Sequence, residues 1–537
     1  MSAASFSPEE LRDQMLLSKA ADALLETCVR ERLSLRATMD RFLPAVCGEL
    51  DAVGAAVITR NEELVTAAYA HGELAGEDPW TLLAERRFGR FPVRGHTLVS
   101  QVLDVAGTDV GTAGFVFDGE LPPERLEGLA ARVEVVCEQL DTILATIHTA
   151  SEKQDLIQRI SQALADRVFE RGLDTAVSLL HQTVGFQTLL FVWRDGADEK
   201  TLYYRLYRGG KLEFDAESRR HPGLDAAIQA HGVELLAPDR HRLRTVLGLE
   251  GCLENVLLAG LARAEWLGKC LVQAGPRGFS TFSLDLVRLL AQMARERLVD
   301  HNRERRHLAQ FFAPPVINRL LREPAYDEKY LAPREQEVAI LYADINGFTR
   351  LSELALEKPS LIGKFIDRWA EGAVDILWEH GGTFDKMVGD CIIGLFGPPF
   401  YEEPRARRAF NALEAARKML DFTVRFADDP LLDVVRSKPE LARGLGIAVG
   451  INLCPACVGV FGPTHDLTAF SAGMNATARL QCLAGFREVL AMESVVHALG
   501  DLGEPHGYRF GELTETPVKN VSKPLRYAAV IPADPSG

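Results

Sequence analysis

Residues 337–353 read EVAILYADINGFTRLSE, and residues 384–397 read FDKMVGDCIIGLFG. The first is an apolar run that stops at a carboxylate, Asp344; the second holds a tight Gly389-Asp390 turn that offers another. Short apolar runs bounded by turn residues are strand signals, so two acids stand at two strand ends. That suits a divalent metal site, because Mg²⁺ takes a few carboxylates and completes its shell from substrate phosphates and water. A lone Asp at a strand end is more commonly a turn or cap residue, so the pair has to be weighed with its surroundings.

Outward from this stretch the order is strand VAILYAD (338–344), helix LIGKFIDRWAEGAVDILWEH (361–380), hairpin TFDKMVGDCIIGLF (383–396) and helix ARRAFNALEAARKMLDFTVRF (406–426). Strand GLGIAVGIN (444–452) follows, then a loop and helix within THDLTAFSAGMNATARLQCLAG (464–485). A β-α-β-β-α-β alternation is ferredoxin-like, of the α+β class. Topology alone leaves the function open.

Three motifs narrow it. VAILYADINGFT, KMVGD and LTAFSAGMNATARL stand in the order and spacing of the first metal strand, the K-x-x-G-D hairpin and the Y-T-x-x-G-x-x-V-N-x-A-x-R-L helix start of class III nucleotidyl cyclase catalytic domains. The chain resembles that family from about Glu337 to Val530. The resemblance implies an adenylate cyclase that turns ATP into 3′,5′-cyclic AMP and pyrophosphate with two Mg²⁺ or Mn²⁺ ions per site. It assigns Asp344 and Asp390 to the metals, with the backbone carbonyl of Ile345 as a further ligand. Lys386 and Thr468 fall on the purine-reading positions, Asn475 on the ribose-positioning residue and Arg479 on the arginine that steadies the phosphate under attack. Arginine suits that task because its planar fork stays charged and can hold two oxygens. Lys519, in VKNVSKPL (518–525), falls on a triphosphate-binding lysine, with Asn520 where the family has glycine.

A lysine donates to adenine N1, whereas guanine carries a proton there; adenine is the implied base. A guanylate cyclase would have an acid at Lys386 and a small polar residue at Thr468. Threonine where many relatives have aspartate places the domain in a Thr-type subclass whose members often respond to bicarbonate. In this family the metal acids and the base-reading residues meet across a dimer, so a homodimer with two equivalent sites is implied. Cys454, Ser471 and Ala472 depart from the family, which has glycine at the first two and an acid or amide at the third. Glycine at such positions often supplies positive φ or close backbone approach, and a non-catalytic signalling scaffold is the reading those departures would favour. The Cys454-Pro455-Ala456-Cys457 run lacks a second ligand pair for zinc, and would be the first place to look for redox control.

The first 300 residues contain a weak repeat of about 130 residues. Helix-like LSLRATMDRFLPAVCGEL (33–50) runs into VGAAVITR (53–60), and GLDTAVSLLHQTV (172–184) runs into GFQTLLFVWR (185–194). Each copy closes with a helix of three- and four-residue apolar spacing, LEGLAARVEVVCEQLDTILATI (126–147) and FSLDLVRLLAQMARERLVDHN (282–302). This plan resembles tandem GAF sensor domains, which implies a small-molecule or protein input, although neither an NKFDE-type motif nor a bilin-bearing cysteine stands out. The stretch ARERLVDHNRERRHLAQFFAPPVINRLLRE (294–323) predicts a charged, solvated helical connector broken at Ala313-Pro314-Pro315. The expected domains are 1–150 and 151–298 (GAF-like), 299–332 (connector) and 333–537 (catalytic).

Composition sets limits. A formal charge of −15 argues against non-specific nucleic-acid binding, which rests on basic side chains. No stretch reaches the roughly 18 apolar residues of a membrane span, and nine scattered cysteines are too few for a disulfide scaffold in 537 residues. The cytoplasm is the expected compartment.

Overall fold

The structure is a computed structural model that describes residues 7–31, 33–61, 64–105, 108–198, 200–238, 242–251, 253–260, 266–276, 278–429, 445–463, 465–502, 507–519 and 523–532. The chain forms two compact units, Met1–Arg159 and Ile160–Gly537.

In the first unit, α1 (Pro8–Arg30) and α2 (Leu35–Leu50) begin at serine caps: Ser7 and Glu10 bond each other's backbone amides, and Ser34 accepts from the Ala37 amide. The strands β1 (Gly54–Asn61), β2 (Leu64–Gly72), β3 (Gly89–Val93), β4 (His96–Val105) and β5 (Thr108–Phe117) form one sheet in the order β2-β1-β5-β4-β3. Strand alternation divides β1 between two cores. Ala55 and Val57 pack with α1, α2 and the front of α4 (Pro123–Leu164), while Ala56 and Ile58 face a smaller cluster with Leu82 and Leu83 of α3 (Pro79–Leu83).

The second unit opens with α5 (Phe169–Val184) and a sheet of β6 (Thr188–Arg194), β7 (Leu202–Arg208), β8 (Lys211–Asp215), β9 (Leu253–Ala259) and β10 (Trp266–Gln273), in the order β8-β7-β6-β10-β9. The two N-terminal sheets share the neighbours of their first strand but place the third at opposite edges: β3 pairs β4, whereas β8 pairs β7. One face of the second sheet is filled by Leu190, Val192, Tyr204 and Leu206 packed against α6 (Pro222–His231), a 3₁₀ turn at Gly232–Leu236 and α7 (Arg242–Val246). Buried Lys269 ties that turn down by donating to the Leu235 and Ala237 carbonyls at 3.0 and 2.7 Å.

The connector is solvated on one face only, a correction to the sequence expectation. Helix α8 (Thr281–Leu308) ends five residues before the prolines, and Pro314 and Pro315 open α9 (Pro314–Leu321), where a missing N–H costs nothing. Leu308, Phe311, Phe312, Val316, Ile317, Leu320 and Leu321 are buried against the next sheet. The apolar spacing within APPVINRLL therefore marked a packing face.

That next sheet contains β11 (Arg334–Ile345), β12 (Gly382–Val388), β13 (Cys391–Phe396) and β14 (Ile447–Phe461) in the antiparallel order β12-β13-β11-β14, the ferredoxin-like arrangement. After the short α10 (Phe348–Leu351), α11 (Pro359–Glu379) and α12 (Arg405–Phe426) cover one face, where Leu341, Ala343 and Ile345 meet Phe365, Trp369 and Met419. Val338 and Ile340 point the other way, onto the connector. Beyond this core, β15 (Asp466–Phe470) folds back on β14 and leads into α13 (Ala472–Leu483). The strands β16 (Val489–Met492), β17 (Tyr508–Phe510), β18 (Thr514–Thr516) and β19 (Leu525–Pro532), with α14 (Glu493–Gly500), extend the far edge. Among the described residues no helix is long and apolar enough to cross a membrane.

Candidate active site

Asp344 lies near the end of β11, opposite Cys391 of β13 and Ala448 of β14. Asp390 directly precedes Cys391, so the turn brings the second acid beside the first. Gly389 makes this possible with φ +65°, a left-handed conformation that disfavours side-chain-bearing residues. The exit from β11 is fixed as well: the Asn346 amide donates to the Gly446 carbonyl at 2.9 Å, and its side chain accepts from the Arg487 amide at 3.0 Å.

Both acids are half-buried. Burial, then the Asp390 charge, pushes Asp344 up to about 6. Burial also raises Asp390, resisted by its own amide and that of Ile345. Among the described residues no basic side chain forms an ion pair with either. Two adjacent, partly desolvated carboxylates are what a divalent cation neutralises best, so these residues fit a metal. Among the described residues no cluster of three His, Cys, Asp or Glu side chains is arranged to hold an ion. An ion at Asp344 and Asp390 would therefore complete its shell from backbone, water or nucleotide oxygens, the usual habit of Mg²⁺.

The base-reading candidates lie on β12 and β15. Lys386 is exposed and Thr468 is buried. Between them lies Asp385, a residue the sequence reading passed over. It is only 4 % exposed, and burial pushes it up to about 6 against the opposing pull of Thr468, Lys386 and the Ala469 amide. A strand reading of TFDKMV could have found it, since alternation puts Asp385 on the inward face with buried Thr383 and turns Lys386 out.

Asn475 and Arg479 sit one helical turn apart on the exposed face of α13. The opposite face packs so closely on β14 that a Cβ on Gly450 would lie 2.6 Å from the Gln481 nitrogen. Lys519 is exposed after β18, and the structure does not group it with the other candidates; Asn520 lies outside the described residues.

The three departures each have a defined place in the structure. Ser471 has φ −165°, an extended conformation open to any residue, and its hydroxyl caps α13 by accepting from the Met474 amide at 3.0 Å. Cys454 lies in β14 opposite Val338, and its sulfur occupies the space where a side chain on Gly473 would begin: a Cβ there would stand 2.0 Å from Cys454 Sγ. A glycine two residues after the family position thus makes room for the cysteine. Ala472 is exposed at the start of α13. Cys454 and Cys457 are three residues apart on one strand, about 10 Å by strand rise, beyond the roughly 7 Å a disulfide tolerates.

Residues 331–529 match the adenylate and guanylate cyclase catalytic domain family. This class III cyclase domain shares 25% identity over 223 residues with a photoactivated adenylate cyclase subunit alpha-like protein of Euglena gracilis, covering 41% of this chain and 18% of that one. It shares 26% over 212 residues with an uncharacterized protein of Mycobacterium tuberculosis, covering 39% and 36%. The match thus spans well under half of these relatives. Among solved structures, the adenylyl cyclase CyaB from P. aeruginosa aligns at 24% identity and TM-score 0.32 over 38% of this chain and 97% of that one. The guanylyl cyclase Cya2 aligns at 23% and 0.29, with the same coverage. Relatives of the cyclase domain include both adenylate and guanylate cyclases.

Proposed function

We propose that the chain is an adenylate cyclase that acts as a homodimer and converts ATP to cyclic AMP and pyrophosphate, under control of its N-terminal domains. The observation that carries this reading is the pair of adjacent, half-buried carboxylates Asp344 and Asp390.

Asp344 and Asp390, with the Ile345 carbonyl, would hold two Mg²⁺ or Mn²⁺ ions. Bound there, the metal supplies positive charge that lowers the pKa of the ribose 3′-hydroxyl and stabilises negative charge on the α-phosphate. Lys386 donates to adenine N1 and Thr468 reads the neighbouring edge of the base. Asn475 orients the ribose and Arg479 holds phosphate oxygens as charge builds on them. Lys519 is the proposed triphosphate contact. These residues differ in exposure in a way that supports a two-chain site: Lys386, Asn475 and Arg479 face solvent, and nearby Met387, Val388 and Phe470 are 37%, 59% and 59% exposed. Apolar surface of this kind suits a second copy of the chain.

Residues 1–150 and 151–298 serve in this proposal as GAF-like sensors and 299–332 as the link to the catalytic domain, supported by the burial of α9 against the catalytic sheet. Incubating the purified chain with Mn²⁺ and either ATP or GTP tests the reading. Cyclic AMP from ATP, lost in Asp344→Ala while the dimer persists, is the expected result; cyclic GMP alone, or no cyclic product, overturns it.

A further inference from the structure

The ladder between β12 and β13 slips by one residue between Phe384 and Lys386, so Asp385 has no partner across on β13. Strand β12 also contacts β15, where Thr468 stands opposite Gly459, a residue with no side chain to compete. Asp385 and Thr468 are 4% and 5% exposed. Among the described residues no hydrogen bond of ordinary geometry reaches either Asp385 oxygen or Thr468 Oγ1. Burial raises the Asp385 carboxyl, and the Thr468 hydroxyl, the Lys386 charge and the Ala469 amide oppose that shift. Tyr342 lies near as well: burial, followed by the Asp385 and Cys391 charges, pushes its phenol up to about 12.

Buried polar atoms left unsatisfied are costly, and the chemistry permits one economical pairing. An ionised carboxylate only accepts, whereas a hydroxyl carries one proton and two lone pairs. A carboxylate beside that hydroxyl can take only its proton, which leaves the lone pairs as what the hydroxyl offers elsewhere. We propose that Asp385 is a positioning residue that fixes Thr468 as a hydrogen-bond acceptor, so that the pocket selects a purine bearing a 6-amino group and rejects a 6-oxo purine.

This rests on the adenylate cyclase reading and deepens it. Lys386 supplies a donor for N1 and Thr468 an acceptor for the N6 amino group, which complements adenine at both positions. Guanine inverts both, with a proton on N1 and an acceptor at O6. Sites built on such pairings discriminate strongly, because the wrong base leaves polar groups unpaired.

The test compares kcat/KM for ATP, GTP and purine riboside triphosphate, which lacks the 6-substituent, in the wild-type dimer and in Asp385→Asn. The wild type should favour ATP over the purine analogue by about tenfold or more. Asparagine keeps the size but donates to Thr468, turning the hydroxyl proton outward, so the ATP/GTP ratio should fall by about tenfold or more. In a Thr468→Val background, Asp385→Asn should leave the ratio unchanged to within about twofold, since Asp385 acts through that hydroxyl. Displacement of a fluorescent ATP analogue by each nucleotide gives the same ratios for a variant without turnover, and circular dichroism checks folding. Equal use of ATP and the purine analogue by the wild type overturns the proposal even if Asp385→Asn does not fold. So does an unchanged ratio in Asp385→Asn, or a change that survives Thr468→Val. If cyclic AMP is still formed in those cases, the adenylate cyclase reading stands; a wild type that neither binds nor turns over nucleotide overturns both.

Discussion

Arg305 and Asp195 are as deeply buried as Asp385, with side chains 4% and 5% exposed, yet the chain treats them in the opposite way. The Arg305 guanidinium donates to both Asp195 oxygens at 3.1 and 2.8 Å, to Asn318 at 2.7 Å and to the Tyr203 hydroxyl at 3.0 Å. Asp195 also accepts from the Ala197 amide at 2.6 Å. The cluster joins the second N-terminal sheet to α8 and α9, and protein groups satisfy both charges. In the catalytic domain, Asp344, Asp390 and Asp385 are desolvated with pKa values raised. A buried charge with its partners supplied is part of the scaffold, whereas desolvated acids without a cation gain most from an added one. The contrast separates a structural polar cluster from a chemical one without reference to any relative.

The largest effect that would break the contrast is on turnover. Asp344→Ala should lower cyclic AMP formation by at least on the order of 10³-fold. The melting temperature of the metal-free protein should hold or rise, because a carboxylate crowded by burial and by Asp390 has been removed. A clear fall in metal-free stability would put Asp344 in the structural class. Arg305→Met should do the reverse, costing about 3–5 kcal/mol by leaving Asp195 buried and unpaired. In urea unfolding, the double variant Asp195→Leu/Arg305→Met should recover most of that loss; no recovery would mean that the pairing is not what matters.

The two regions should also answer pH with opposite signs. His301, stacked on Phe169 beside the Arg305 cluster, is held down to about 3 by burial and then by the Arg305 and Arg297 charges. It is neutral in the fold and titrates near 6.5 when unfolded, so the stability it contributes is complete above about 6.5 and is lost as pH falls toward 3. Asp344 is displaced the other way, to about 6. In the metal-free protein its contribution is complete below about 4 and is lost as pH rises through 6. Melting curves between pH 4 and 7 should become flatter on the acid side in His301→Phe and steeper there in Asp344→Asn. A change of slope in the same direction from wild type in both variants would remove the distinction.

What could be read in advance divides along the same line. Alternation in VAILYAD and the glycine turn of KMVGD lie within single short segments, so the ferredoxin-like order and the placement of Asp344 and Asp390 were visible locally. The Arg305–Asp195 pair spans 110 positions, and no local pattern reports such a distance. Asp385 escaped for a different reason: next to Lys386 it looked like an ordinary surface charge pair, although alternation from buried Thr383 already places it on the inward face. The connector was misjudged because its charges dominate the composition, while Phe311, Phe312, Ile317 and Leu320 supply the buried face.

The smallest expected effect tests whether the family departures belong to the satisfied scaffold. A Cβ at Gly473 would stand 2.0 Å from Cys454 Sγ and 3.1 Å from its Cβ, and Cys454 is held in β14 opposite Val338. Gly473→Ala should therefore cost about 1–3 kcal/mol through overpacking, partly masked by a gain of up to about 1 kcal/mol from replacing a helical glycine. Cys454→Gly removes the sulfur and should itself cost about 1 kcal/mol, from lost packing and a glycine within a strand. If the two residues share one space, the double variant should be more stable than the sum of the singles predicts by about 1 kcal/mol or more, a coupling expected only for groups in contact. Cyclic AMP formation should follow the same cycle, because a shift of Gly473 would carry Asn475 with it. Simple additivity in both measurements would show that Cys454 and Gly473 were substituted independently, and that the glycine absent from the family position is not replaced by the one two residues later.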